Sequence, residues 1–140
     1  MITAVDSNVI AALWQPDEHL NRSARKALDI AQSRGRLVVS APVFAELLAG
    51  LGREEKFVNG FFRATNIAVE WNLEEGIWRM AGRAFQGYAE RRRKQRDKAV
   101  RRFLADFLIG AHASYRGYHL LTFDDRLYSA SFPNLAVLTL

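Results

Sequence analysis

Short apolar runs alternate with longer segments of helical periodicity along the chain. The short runs are bounded by polar or turn-forming residues and have the length of buried strands. The longer segments repeat apolar residues every three to four positions, as one face of a helix does. The pattern predicts strands at residues 2–5, 37–40, 67–70, 119–123 and 136–139, and helices at 9–14, 18–33, 43–51, 54–63, 73–93 and 106–115.

Strands that alternate with helices predict an α/β fold whose central sheet is mainly parallel. Neither a linker nor an internal repeat interrupts the alternation, so residues 1–140 are expected to form a single domain.

One of these helices contains an acid in an apolar setting. Residues 103–114 are apolar or small on nearly every side of the predicted helix, yet Asp106 lies among them. A buried carboxylate is costly unless it is neutralised, paired or bound to a metal. A helix at 106–115 climbs about 15 Å, and the strand at 119–123 returns about 16 Å. Asp124, just past that strand, is therefore expected beside Asp106.

Two further acids are predicted at the same edge of the sheet. Asp6 follows the first strand directly, and Glu46 comes about one turn into the helix after the second strand. Sites in open parallel sheets form at the carboxyl ends of the strands. Ser7 or Asn8 can cap the helix at 9–14. Taken alone, Asp6 could also be a plain helix cap and Glu46 a solvated helix residue. The expected cluster, called here the four acids, consists of Asp6, Glu46, Asp106 and Asp124.

Composition narrows the chemistry that the chain can carry. The 140 residues are 49% hydrophobic and 25% charged, and they include no cysteine, which excludes disulfides, zinc–cysteine sites and thiol catalysis. The three histidines show no metal-ligand spacing. No apolar run has the length of a membrane span, and the N-terminus lacks the pattern of a signal peptide. We therefore expect a cytoplasmic protein without membrane contact.

A basic segment precedes the helix that contains Asp106. Eight of the twelve residues at 91–102 are Lys or Arg, and the formal net charge of the chain is +5. Such a segment can be a solvated helix end, but it can also bind the phosphate backbone of a nucleic acid. The predicted nucleic-acid contacts are Arg92, Arg93, Lys94 and Arg96.

Four carboxylates at one place repel each other unless cations compensate them. No Lys or Arg flanks Asp6 or Glu46 closely in sequence. Hard divalent cations with oxygen ligands are the natural compensation, and they can activate water against a phosphodiester. The sequence thus predicts metal-dependent phosphodiester hydrolysis.

Four short segments carry a resemblance to a known family. The segments lie at residues 5–9, 40–47, 105–113 and 120–124. In their order and over nearly the whole chain, they resemble the motifs of PIN-domain ribonucleases, specifically the VapC-type toxins of VapBC toxin–antitoxin pairs.

The resemblance implies a three-layer α/β/α domain and an endoribonuclease with a Mg²⁺ or Mn²⁺ centre. The four acids match the metal-binding positions of the family, and Asn8 and Thr122 match polar positions that support them. The family also implies an RNA substrate, a small VapB-like antitoxin as partner and a homodimer.

The chain departs from the family at one position and is ambiguous at another. Related toxins often carry proline before the third acid, where this chain has Ala105, so a continuous helix from Arg91 is possible. Asp125 could replace Asp124 as the fourth acid. Asp124 is favoured because it follows the strand directly.

Other classes fit the sequence less well. A phosphatase with an aspartate nucleophile after its first strand would need a second Asp where this chain has Asn8. A response-regulator receiver domain would need a late lysine, and none follows Lys98. A non-catalytic RNA-binding domain could use the basic segment alone, but it would not explain the four acids.

Overall fold

A five-stranded sheet forms the centre of the protein in a computed structural model that describes residues 1–50, 52–95 and 102–139. The order of the strands is β3-β2-β1-β4-β5, and every neighbouring pair is parallel. The predicted parallel α/β sheet is therefore confirmed. The strands are β1 (Thr3–Val5), β2 (Leu37–Ser40), β3 (Ala68–Glu70), β4 (His119–Leu121) and β5 (Val137–Leu138).

Helices connect the strands. Within the described ranges they are α1 (Ser7–Leu13), α2 (Glu18–Arg34), α3 (Ala41–Leu48), α4 (Glu55–Thr65), α5 (Glu75–Lys94), α6 (Leu104–Tyr115) and α7 (Asp125–Ser131). All residues of β1 and β2 are buried. Since successive strand residues point to opposite faces, both faces of the sheet are covered, as in the predicted three-layer arrangement. None of the described helices is long and apolar enough to cross a membrane.

Several element bounds differ from the prediction by a few residues, and β4 ends at Leu121 rather than at residue 123. The continuous helix from Arg91, which the sequence left possible, does not form, because α5 ends at Lys94 and Phe103 before α6 has an extended backbone. The first helix begins at Ser7, so Asp6 rather than Ser7 or Asn8 takes its N-cap position. Helix α7 was not predicted, because its seven residues are too few for a periodicity to stand out.

A polar cluster fastens the end of β3 to the last turns of α6. The Glu70 carboxylate lies 2.8 Å from His112 Nε2, accepts a hydrogen bond from Arg116 Nη1 at 2.7 Å and accepts one from the Tyr118 hydroxyl at 3.0 Å. Arg116 also donates to the backbone oxygen of Asn72 at 2.7 Å. The cluster fixes α6, which carries Asp106, relative to the sheet.

Ionisation within this cluster is set by burial and by hydrogen bonding. His112 is fully buried, and burial lowers its pKa despite the neighbouring Glu70 carboxylate. Burial works against ionisation of Glu70, but hydrogen bonds from His112, Tyr118 and Arg116 outweigh it and lower its pKa. At neutral pH the cluster therefore consists of a neutral histidine, a carboxylate and a guanidinium.

Candidate active site

The candidate site lies where the strand order reverses. From β1 the chain moves outward to β2 and β3, then crosses back to β4 on the other side of β1. Such a switch point leaves a crevice at the carboxyl ends of the two central strands. The backbone N–H of Asp6 donates to Leu121 O at 2.9 Å, so residues 6 and 122 leave the sheet side by side.

Asp6 is buried at this point, with 4% of its surface exposed. It occupies the N-cap position of α1, but its side chain makes no capping hydrogen bond to the helix, so it is not a plain cap. Its Oδ2 accepts a hydrogen bond from Thr122 Oγ1 at 2.8 Å. Burial raises the pKa of Asp6 and the charge of Asp106 adds to the rise, while the hydrogen bond from Thr122 opposes it.

Glu46 is joined to Asp6 through a residue that the sequence suggested only as a helix cap. The Ser7 hydroxyl lies 2.9 Å from Glu46 Oε1 and 3.3 Å from Asp6 Oδ1. A hydroxyl has one proton to donate, so the shorter contact to Glu46 is favoured. Burial raises the pKa of Glu46, and the charges of Asp106 and Asp6 raise it further. Ser7 therefore links two acids that come from different helices.

Asp106 lies in the first turn of α6 and is partly buried. Burial raises its pKa, and the charge of Asp124 adds to the rise. A backbone hydrogen bond at Phe103 and the positive charge of Arg102 oppose it. Asp106 thus interacts electrostatically with all three other acids.

Asp124 is the acid with a cationic partner. Its Oδ2 lies 2.6 Å from Arg102 Nη1, with 26% of the Asp124 side chain and 41% of the Arg102 side chain exposed. Asp125, the alternative fourth acid, is exposed in the first turn of α7. The structure therefore places Asp124, rather than Asp125, beside Asp106 and the basic segment.

Asn8 and Thr122 hold the turn that follows β4. Thr122 Oγ1 accepts hydrogen bonds from the backbone N–H of Asp124 at 2.9 Å and from Asn8 Nδ2 at 3.5 Å. Asn8 Oδ1 accepts one from the backbone N–H of Phe123 at 3.3 Å. Because Thr122 also donates to Asp6, a single hydroxyl couples the first acid to the backbone of the fourth.

Tyr128 is a site residue that the sequence did not reveal. It is fully buried on α7, and its hydroxyl lies near enough to Asp6 to interact with that carboxylate. Burial raises its pKa, and the charges of Asp6, Asp106 and Glu46 raise it further. The only available signal was an aromatic residue four positions after Asp124, which gave no reason to expect a neutral hydroxyl beside the acids.

The donor set fits a divalent cation in its chemistry. The candidate ligands are carboxylates, and the pKa values of three of them are raised by burial and mutual repulsion, which a bound cation would relieve. As placed, however, no group of three or more acidic, histidine or cysteine side chains in the described parts of the chain forms a metal-binding set. Asp124 forms an ion pair with Arg102.

The predicted RNA-contacting residues lie at the end of α5, whose last turn includes Arg92, Arg93 and Lys94. Arg93 and Lys94 are exposed, while Arg92 is partly buried. Arg96 lies outside the described residues.

Comparison with known proteins agrees with this architecture. The family model described as PIN domain matches residues 3–133, which is most of the chain. No curated protein matches the chain significantly.

Several solved structures share the fold. VapBC-1 from nontypeable Haemophilus influenzae is 24% identical, with a TM-score of 0.66 and coverage of 99% of this chain and 98% of that chain. FitAcB from Neisseria gonorrhoeae is 24% identical, with a TM-score of 0.64 and coverage of 99% and 97%. VapBC2 from Rickettsia felis, bound to a DNA fragment from its promoter, is 16% identical, with a TM-score of 0.63 and coverage of 100% and 99%.

Structural similarity at these levels of sequence identity establishes the fold. The match to the family model covers the strands that position the four acids. The expected family resemblance is confirmed, and the chain belongs to the PIN-domain family.

Proposed function

We propose that this protein is a metal-dependent endoribonuclease, the VapC-type toxin of a toxin–antitoxin pair. The proposal is supported by four acids near the switch point of the sheet, where Asp106 is electrostatically coupled to Asp6, Glu46 and Asp124. Family membership supports nuclease chemistry, because PIN-domain proteins are nucleases. The names of the similar solved structures, VapBC and FitAcB, support the toxin–antitoxin assignment.

The four acids would hold Mg²⁺ or Mn²⁺, which supplies a Lewis acid for the phosphate and a water of lowered pKa. The residues around them keep the carboxylates in place. Thr122 donates to Asp6, and Ser7 donates to Glu46. Arg102 balances the charge of Asp124.

The proposal also covers the substrate, the protein partners and the cellular location of the enzyme. The substrate is RNA, bound in part by Arg92, Arg93, Lys94 and Arg96. A small VapB-like antitoxin silences the enzyme, which forms a homodimer in the cytoplasm.

Metal dependence provides the direct test of this function. The purified protein should cleave single-stranded RNA in Mg²⁺ or Mn²⁺, stop in excess chelator and recover when Mn²⁺ is restored. Mn²⁺ should also raise the unfolding temperature, because a ligand at about 100 times its Kd stabilises the folded state by about 2.7 kcal/mol. Cleavage that continues in excess chelator would contradict the proposal, as would a wild-type protein that Mn²⁺ neither stabilises nor activates.

Glu46 is proposed to orient the attacking water. It comes from a different helix from the other acids, and its raised pKa brings it closer to the range in which a carboxylate accepts a proton. Glu46→Gln should therefore lower kcat by roughly a hundredfold or more, with little change in the Kd for RNA. Single-turnover kinetics and RNA binding in chelator separate the two effects. Equal losses in both would indicate a binding role instead.

A further inference from the structure

Phe103 is an exposed aromatic residue beside the candidate site, and the function proposed so far does not use it. It is 77% exposed, the largest value among the exposed large hydrophobic residues that the structure describes. Phe107, one turn further along α6, is the contrasting case, because it is fully buried and its ring stacks on that of Phe85 with centroids 4.7 Å apart. A single exposed apolar side chain is ordinary on a protein surface, so the position of Phe103 decides what it can do.

The backbone of Phe103 is tied to the candidate site on both sides. The backbone N–H of Asp106 donates to Phe103 O at 3.1 Å, and the backbone N–H of Phe103 donates to the Asp106 carboxylate. Arg102, the preceding residue, pairs with Asp124 at 2.6 Å. The ring is thus attached at a fixed place beside two of the four acids, while most of its surface is open to solvent.

The surroundings of the ring favour a planar heterocycle over an apolar peptide. Leu104, 42% exposed, follows Phe103, but the charged residues Arg102 and Asp106 flank the pair. Apolar sites for protein partners are usually continuous patches of several hundred Å², and two side chains between charged neighbours are a small target by comparison. A nucleobase needs only the face of one ring, because it stacks on an aromatic side chain while its polar edges stay in water.

We propose that Phe103 is a stacking platform for a nucleobase of single-stranded RNA, next to the phosphate that the four acids bind. The inference rests on the proposed function, which places an RNA phosphate at these acids. A phosphate bound there brings the adjoining bases to the ring that Arg102 and Asp106 hold in place. Sequence-tolerant stacking needs an unstacked base, so the platform selects unpaired segments over duplex RNA. The contact is made to an uncharged base and is distinct from the phosphate contacts of the basic segment.

Removal of the ring should weaken the binding of bases and leave the salt dependence of RNA binding unchanged. Phe103→Ala and wild type would be compared in excess chelator on a single-stranded RNA oligonucleotide and on an abasic strand of the same length, which keeps the sugar–phosphate backbone. The variant should bind the base-bearing strand roughly fivefold to a hundredfold more weakly, as expected for one lost stacking contact. It should bind the abasic strand like wild type. The slope of log K against log salt should not change, because the ring carries no charge.

Three further variants serve as matched controls. Phe103→Trp keeps an aromatic face and should bind RNA like wild type, whereas Phe103→Leu keeps apolar bulk without a ring and should lose most of the affinity for bases. Tyr115 is also an exposed aromatic residue, but it lies at the opposite end of α6, so Tyr115→Ala should leave RNA binding unchanged. Thermal unfolding should show little change in Phe103→Ala, because substitutions of exposed residues seldom alter stability much.

The outcomes separate this inference from the proposed function. Wild-type cleavage in Mn²⁺ together with unchanged RNA binding by Phe103→Ala would overturn the platform alone and favour an apolar protein segment as the contact of the ring. Equal losses on the base-bearing and abasic strands would also overturn it. A preference for bases that depends on Phe103, in a protein that cleaves no RNA, would support the platform and contradict the nuclease. A wild-type protein that binds both strands equally, or neither, would overturn the platform too.

Discussion

Replacing Asp106 by asparagine is expected to abolish RNA cleavage and to raise the unfolding temperature of the metal-free protein. Asp106 interacts electrostatically with the three other acids, so its loss removes a ligand from the centre of the proposed metal site. Loss of one preorganised electrostatic contact in an active site commonly costs on the order of 10²–10³ in kcat. We expect at least that loss here.

The stability change in Asp106→Asn follows from the direction of the pKa shift. The pKa of Asp106 is raised above its ordinary value of 3.8, so between that value and the folded pKa the folded state binds more protons than the unfolded state. Stability therefore falls as the pH rises through this window. Asparagine removes this pH dependence. The free energy of unfolding of the variant should therefore exceed that of wild type most above the window, at neutral pH, and least near pH 3.

The measurements are RNA cleavage in Mn²⁺ and thermal unfolding in chelator at several pH values. Asp125→Asn is the matched control, because Asp125 is exposed and should leave cleavage nearly unchanged. An Asp106→Asn protein that cleaves like wild type would contradict the proposed centre. An inactive Asp125→Asn with an active Asp124→Asn would move the fourth acid to Asp125.

Replacing Glu70 by glutamine is expected to produce the largest loss of stability among the changes considered. Glu70 accepts hydrogen bonds from Arg116 and Tyr118 and pairs with the buried His112. Hydrogen bonds to charged groups contribute about 1.5–3 kcal/mol each, and a glutamine can replace only part of this set. We expect the free energy of unfolding to fall by about 2–4 kcal/mol.

Denaturant unfolding at pH 7 and at low pH tests this change. Because the pKa of Glu70 is lowered below its ordinary 4.5, its contribution is present above that value and is lost as the pH falls through the folded pKa. The difference in the free energy of unfolding between wild type and Glu70→Gln should therefore become smaller at low pH. Glu75→Gln, which breaks only an exposed pair with Arg79, should cost less than about 1 kcal/mol. Similar losses for both variants would show that the cluster does not fasten α6.

Much of the architecture was predictable because the strands are short, apolar and buried. Residues 37–40 were predicted with the bounds that the structure has, since a continuous apolar run between polar neighbours fits a central parallel strand. The placement of Asp124 near Asp106 was also predictable, because the rise of a helix and the return of a strand are fixed lengths. The edge of the sheet on which the acids lie was predictable too, because alternating strands and helices indicate a parallel sheet with its site at the carboxyl ends of the strands.

The rest depends on contacts between segments that are distant in sequence. Nothing near Glu70 indicates that a histidine 42 residues later is its partner. Ser7 was suggested as a helix cap because that role is local, whereas its contact with Glu46 spans 39 residues. Tyr128 lies on a helix too short to show a periodicity, so its burial among the acids could not be anticipated.

The hydrogen bond between Thr122 and Asp6 joins residues that are 116 positions apart. During synthesis, the first half of the chain can form β1, β2 and their helices, but the switch point needs β4 to insert beside β1. Asp106 and Asp124 flank that strand in sequence, so they arrive together with it. A nascent chain that lacks β4 therefore also lacks Thr122 and Asp124, and it cannot complete the proposed centre.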